Sequence, residues 1–73
     1  MKILPFYTLW FRKKGEEDAE LLEDEELYYF RRKAFQRAEE LQKMYYYSGG
    51  SILVRRIRLN SPMCTEWEFD CDD

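Results

Sequence analysis

The side chains of this chain that could do chemistry are carboxylates and guanidinium groups, and they are sorted into blocks. Glu16, Glu17, Asp18, Glu20, Glu23, Asp24, Glu25 and Glu26 follow one another with no base between them. Arg31, Arg32, Lys33 and Arg37 come next, with no acid among them. Arg55, Arg56 and Arg58 precede a last acidic group of Glu66, Glu68, Asp70, Asp72 and Asp73. The formal net charge of −3 conceals this order. Segregated charge steers partners over long distances without identifying them. Paired carboxylates such as Glu66 and Glu68 could serve as general acid and base. On a strand face opposite arginines they read instead as a solvated charge ladder.

Other chemistry lacks its parts. The sequence has no histidine, so the usual general base is missing, and no serine or cysteine has an evident activating neighbour. Gly49-Gly50 reads as a helix stop, because no lysine and no following helix complete a phosphate-binding loop. Cys64 and Cys71 are seven residues apart in a strand-like segment. An odd separation puts them on opposite faces, where they cannot bridge each other. Two cysteines without histidine do not make a zinc site, and no calcium-loop spacing occurs. The expectation is a non-enzymatic protein with no cofactor and no metal, holding two reduced thiols in a cytoplasmic setting.

These side chains must be positioned by a small framework. A chain of 73 residues makes a single domain with a small core and marginal stability. Hydrophobic residues make up 45% and aromatics 18% of it, and large rings are how a short chain accumulates buried area. The longest apolar stretch, 3–11, contains Pro5 and Thr8 and is too short to span a membrane. Arg12, Lys13 and Lys14 follow it without a small-residue cleavage site, so it reads as a strand and not as a signal peptide.

The spacing predicts a strand over about 3–12, an acidic loop over 13–23, a helix over about 24–46 and two further strands over about 52–59 and 64–71. Both faces of the first strand are apolar. One face should meet the helix and the other should be covered or left as a sticky patch. On a helical wheel Leu27, Phe30, Ala34, Ala38, Leu41 and Tyr45 share one stripe. Extending that helix backwards would bury Glu20 and Glu23, so its start is placed at Asp24 as N-cap. A second stripe of Tyr28, Phe35 and Tyr46 reads as a widened core face or as an aromatic contact surface. In the last strand Thr65, Trp67, Phe69 and Cys71 alternate with acids. Pairing Arg58 with Glu66 and Arg56 with Glu68 around a turn at 60–63 brings opposite charges together. That register leaves Arg55 on the inner face, where it must reach an edge. The fold class is therefore α+β: β-α-β-β, a three-stranded, mostly antiparallel sheet with one long helix on one face. The last strand is expected in the centre of the sheet.

The run Ala34-Phe35-Gln36-Arg37-Ala38-Glu39, a glycine turn, and then Ile52 to Leu59 resembles the helix-to-strand unit of a small bacteriophage inhibitor of bacterial RNA polymerase. The size, crowded aromatics and charge blocks resemble the wider class of early phage proteins that redirect host enzymes. The resemblance implies a class only, a viral, non-enzymatic binder of a host protein acting in the host cytoplasm. The acidic insertion before the helix departs from it.

Three functional readings follow. In the first, the acids Glu16 to Glu26, with Tyr28, Arg32 and Phe35 as anchors, occupy the basic groove of a host polymerase, nuclease or DNA-binding regulator. The bland counterpart is that these acids only confer solubility. In the second, Arg31, Arg32, Arg37, Tyr28 and Tyr46 bind nucleic acid, against the overall acidity of the chain. In the third, the doubly apolar first strand or the Tyr28–Phe35–Tyr46 stripe makes a homodimer contact.

Overall fold

The computed structural model describes residues 5–23, 25–58 and 64–71. It is an α+β domain of a four-stranded antiparallel sheet and one α-helix. Strand β1 (Phe6–Arg12) is followed by β2 (Glu20–Leu21), helix α1 (Arg31–Gln42), a 3₁₀ turn (Tyr45–Tyr47), β3 (Ser51–Ile57) and β4 (Thr65–Asp70). The order across the sheet is β2-β1-β3-β4. The strand expected at the centre, β4, is an edge, and β1 and β3 are the central pair.

The acidic segment accounts for this difference. It is not a free loop: it turns back at Gly15, whose φ of 84° lies in the left-handed region that glycine tolerates. Glu20 then pairs with Phe11 and Leu21 with Trp10. Further along, Leu22 donates its N–H to the Leu9 carbonyl at 3.0 Å. Tyr7 and Tyr28 exchange both backbone hydrogen bonds, at 2.7 and 3.1 Å. The chain thus makes a full return pass down β1 before the helix begins. That pass reverses its direction, so β3 meets β1 antiparallel, and α1 is the crossover that joins β2 to β3, two strands running the same way on either side of β1.

The same pairing moves the helix start. The helix begins at Arg31, not near 24, because Tyr28 stays extended to bond Tyr7. Asp24 lies outside the described residues. Phe30 is the N-cap, with extended backbone and no side-chain cap. The helix stops at Gln42, and Tyr45 and Tyr46 belong to the 3₁₀ turn. Of the expected stripe, Ala34, Ala38 and Leu41 are buried, while Leu27, Phe30 and Tyr45 are 55%, 71% and 92% exposed. The two alanines bring the helix backbone close to the sheet, where Tyr7, Leu9, Ile52, Val54 and Cys71 complete the core.

The hairpin register differs from the expected one by three residues. Ile52 faces Phe69, Val54 faces Trp67 and Arg55 faces Glu66. An odd shift exchanges the faces of a strand. It turns β-branched Ile52 and Val54 toward the helix and sends Arg55 to the opposite side. The predicted turn at 60–63 lies outside the described residues.

The face of the sheet away from the helix is roofed by its own side chains. The Arg55 guanidinium stacks 4.3 Å from the Trp10 ring centroid and donates from Nε to Glu66 at 2.6 Å. Trp10 Nε1 donates to Thr8 Oγ1 at 2.8 Å, and Arg12 pairs with Glu68. Beneath this layer Leu53 has no exposed surface. Long charged side chains can cover apolar surface with their stems and keep their heads wet. Around Thr8 and Trp10 the second face of β1 is covered in this way, with no further layer among the described residues.

Candidate functional site

The acidic residues stand along one edge of the sheet and around its hairpin tip. Glu16, Glu17 and Asp18 are exposed in the turn that joins β1 to β2. Glu20 and Glu23 are exposed on the return pass, and so is Glu26. Edge position explains the outward display: the two-residue strand β2 has β1 as its one neighbour, and both of its residues are exposed.

Glu25 is the exception. Arg37 reaches it from α1 with both arms of the guanidinium, Nε donating to Oε2 at 3.0 Å and Nη2 to Oε1 at 2.9 Å. The third nitrogen, Nη1, donates to Glu40 Oε2 at 2.9 Å. The forked match of planar guanidinium and carboxylate is the strong form of the ion pair. The hydrogen bonds it donates to Glu25 and Glu40 hold the arginine further toward its charged form than usual. This pair fastens the acidic pass to the helix and is structural.

Tyr28 sits in the return pass beside β1 and not on a helix face. It is half-buried beside Glu25, and desolvation, then the Glu25 charge, push its phenol above the ordinary tyrosine range. Burial favours the neutral phenol, so this group lends stability that is complete below pH 10 and fades as pH rises through the folded-state value. We expect Tyr28 to be among the last tyrosines to ionise in an alkaline titration followed by ultraviolet difference absorbance. Tyr28→Phe should flatten the alkaline loss of thermal stability, and an unchanged loss would refute the assignment.

Phe35 also differs from an anchor held out to a partner. Its ring lies edge-on against Trp67 at 5.2 Å and Phe69 at 5.3 Å. Arg32 is exposed on the first turn of the helix. The expected Tyr28–Phe35–Tyr46 stripe is not assembled, because Tyr46 sits in the 3₁₀ turn and Tyr28 in the return pass. Nor is the expected nucleic-acid set: Arg37 is engaged by two carboxylates.

What the structure adds is the three-tyrosine turn. Tyr45 and Tyr46 are 92% and 83% exposed. The Tyr46 ring meets Tyr47 edge-on at 5.0 Å, and Tyr47 in turn packs on Phe11 at 4.9 Å. Tyr47 is thereby the fixed foot on which Tyr46 stands. Between this turn and the acidic pass lies a groove of about 720 Å³, lined by Glu20, Leu22, Glu23, Glu25, Tyr46 and Tyr47. Carboxylates beside a phenol ring suit a lysine or arginine side chain, through ion pairing and cation–π attraction. The signal for it in the sequence is the Tyr45-Tyr46-Tyr47 run placed just before a glycine stop.

Among the described residues no helix is long and apolar enough to cross a membrane. No three acidic or cysteine side chains converge there as ligands for a metal ion. Cys64 is exposed and Cys71 buried. Comparison with protein-family models, curated proteins and solved structures finds no match to this chain, so its site stands on its own geometry.

Proposed function

We infer that this protein is a non-enzymatic binder whose acidic edge takes a basic surface of another protein. The observation that carries this reading is the outward display of Glu16, Glu17, Asp18, Glu20, Glu23 and Glu26 on a hydrogen-bonded edge, next to the exposed Tyr46. A rigid row of carboxylates presents to a phosphate-binding groove the charge that a nucleic acid would present. A polymerase, nuclease or DNA-binding regulator owns such a groove, and filling it would block that target without any chemical step. The likeness of the helix-to-strand run to a phage inhibitor of RNA polymerase supports the same class, a viral protein acting on host machinery.

Purified bacterial RNA polymerase, a nuclease and a DNA-binding regulator, each offered to the immobilised chain, test this. Binding should weaken by at least about tenfold between low and high salt, because the attraction is electrostatic. The triple variant Glu20→Gln, Glu23→Gln, Glu26→Gln should lose binding to a similar degree. Capture that ignores salt and survives the triple variant would refute the acidic edge as the binding surface.

A further inference from the structure

A second surface differs from the acidic edge in charge, aromatic content and position. Phe35 and Arg37 are two residues apart on α1 and therefore point to nearly opposite flanks. Arg37 faces Glu25 and the acidic pass, whereas Phe35 faces Trp67 and Phe69 of β4. Over the first turns of the helix a groove of about 790 Å³ opens, lined by Phe30, Arg31, Arg32, Lys33, Phe35, Gln36 and Glu39.

Three observations set this groove apart. Arg12, Arg37 and Arg55 all hold carboxylates, but Arg31, Arg32 and Lys33 form no ion pair with the described residues. The bases are interleaved with aromatic surface: Phe30 is 71% exposed, and the Arg31 guanidinium lies 5.9 Å from the Phe35 ring centroid. Finally, Glu39 is the one acid of the groove and lies at its far end, two turns from Arg31. Anionic groups are therefore favoured at the Arg31–Lys33 end and flat apolar groups along Phe30 and Phe35.

An acidic protein segment answers the bases alone, whereas the groove also offers the exposed Phe30 ring. Unpaired bases joined by phosphates satisfy both. We propose that this groove binds single-stranded nucleic acid, with Phe30 stacking a base and Arg31, Arg32 and Lys33 neutralising phosphates. Stacking on an aromatic side chain is sequence-tolerant, so the surface takes a strand by its backbone and by the presence of unpaired bases. Gln36, exposed between the two features, offers both a donor and an acceptor to a base edge.

Fluorescence anisotropy with a labelled oligothymidylate of about 15 nucleotides, long enough for a site of this kind, tests the proposal on the full chain. Three phosphate contacts predict saturable binding that weakens roughly 20-fold between about 50 and 200 mM salt. Arg31→Ala with Arg32→Ala should weaken binding and reduce that salt effect to roughly threefold. Phe30→Ala should cost about tenfold in affinity, and a duplex of equal length should bind at least about tenfold more weakly, because its bases are already stacked. These three positions are exposed, so circular dichroism and thermal melting should show the fold retained. The Glu20→Gln, Glu23→Gln pair should leave this binding in place, which separates it from the acidic edge. No binding at high micromolar protein, equal affinity for duplex, undiminished binding by both groove variants, or self-association of the chain through this groove would each overturn the proposal.

Discussion

Gly50→Ala is expected to lower the melting temperature by roughly 10–20 °C, because overpacking here costs about 2–3 kcal/mol in a domain of this size. Gly50 is buried where the chain leaves the 3₁₀ turn and enters β3. A Cβ at this position would lie 2.6 Å from the Arg12 carbonyl oxygen and 2.5 Å from the Phe11 ring. The ring could swing aside, but the carbonyl belongs to the backbone of a central strand and cannot. Gly50 is also tied on both sides, since its N–H reaches Tyr47 and its carbonyl accepts from Cys71. Any shift that relieves the clash must therefore break pairing in β1, β3 or the residue after β4. Gly15→Ala provides the contrast, because a Cβ there meets nothing within 4 Å and only the left-handed backbone resists it. Thermal melts of the two variants measured together check the argument. Equal losses would show that the close approach at Gly50 is not what fixes the residue.

Ala38→Leu should destabilise the fold by about 3 kcal/mol, at the upper end for extra volume forced into a packed core. Ala38 has no exposed surface and, with Ala34 and Leu41, forms the contact of α1 with the sheet. A leucine at that point must lift the helix. Lifting it pulls Phe35 from Trp67 and Phe69 and stretches the Arg37–Glu25 pair. Urea unfolding checks the size of the loss. Loss of near-ultraviolet aromatic ellipticity, with helical ellipticity kept, would show the helix displaced but not unfolded. A stability change below about 0.5 kcal/mol, the range of ordinary surface substitutions, would contradict the close packing.

The centre of the helix stripe was legible in the sequence because Ala34, Ala38 and Leu41 recur at helical spacing and are flanked by charge. Its ends were not. Leu27, Phe30 and Tyr45 fall on the same stripe of the wheel, but the wheel carries no information about the backbone bonds that Tyr28 makes to Tyr7. Capping signals gave no help either, since the real N-cap is a phenylalanine followed by three bases. The alternation of β4 was plain, and Trp67, Phe69 and Cys71 do face the helix side of the sheet. Its register was not, because two different pairings bring an arginine opposite a glutamate. The anomaly of Arg55 on an inner face was the one clue to the correct choice. For the candidate site, the exposure of Glu20 and Glu23 followed from the cost of burying them. The capture of Glu25 by Arg37 depends on a return pass that no local pattern announces.

The central pair of strands sets a kinetic consequence. Phe6 to Arg12 must find Ile57 to Ser51, so the middle of the sheet forms only after about forty intervening residues have been gathered into a closed loop. Such distant pairing slows the search for the native state relative to a helical protein of equal length. On the ribosome the sheet cannot assemble until β3 has emerged. Until then the acid-rich hairpin, whose partners are near in sequence, is the part of the molecule able to order first.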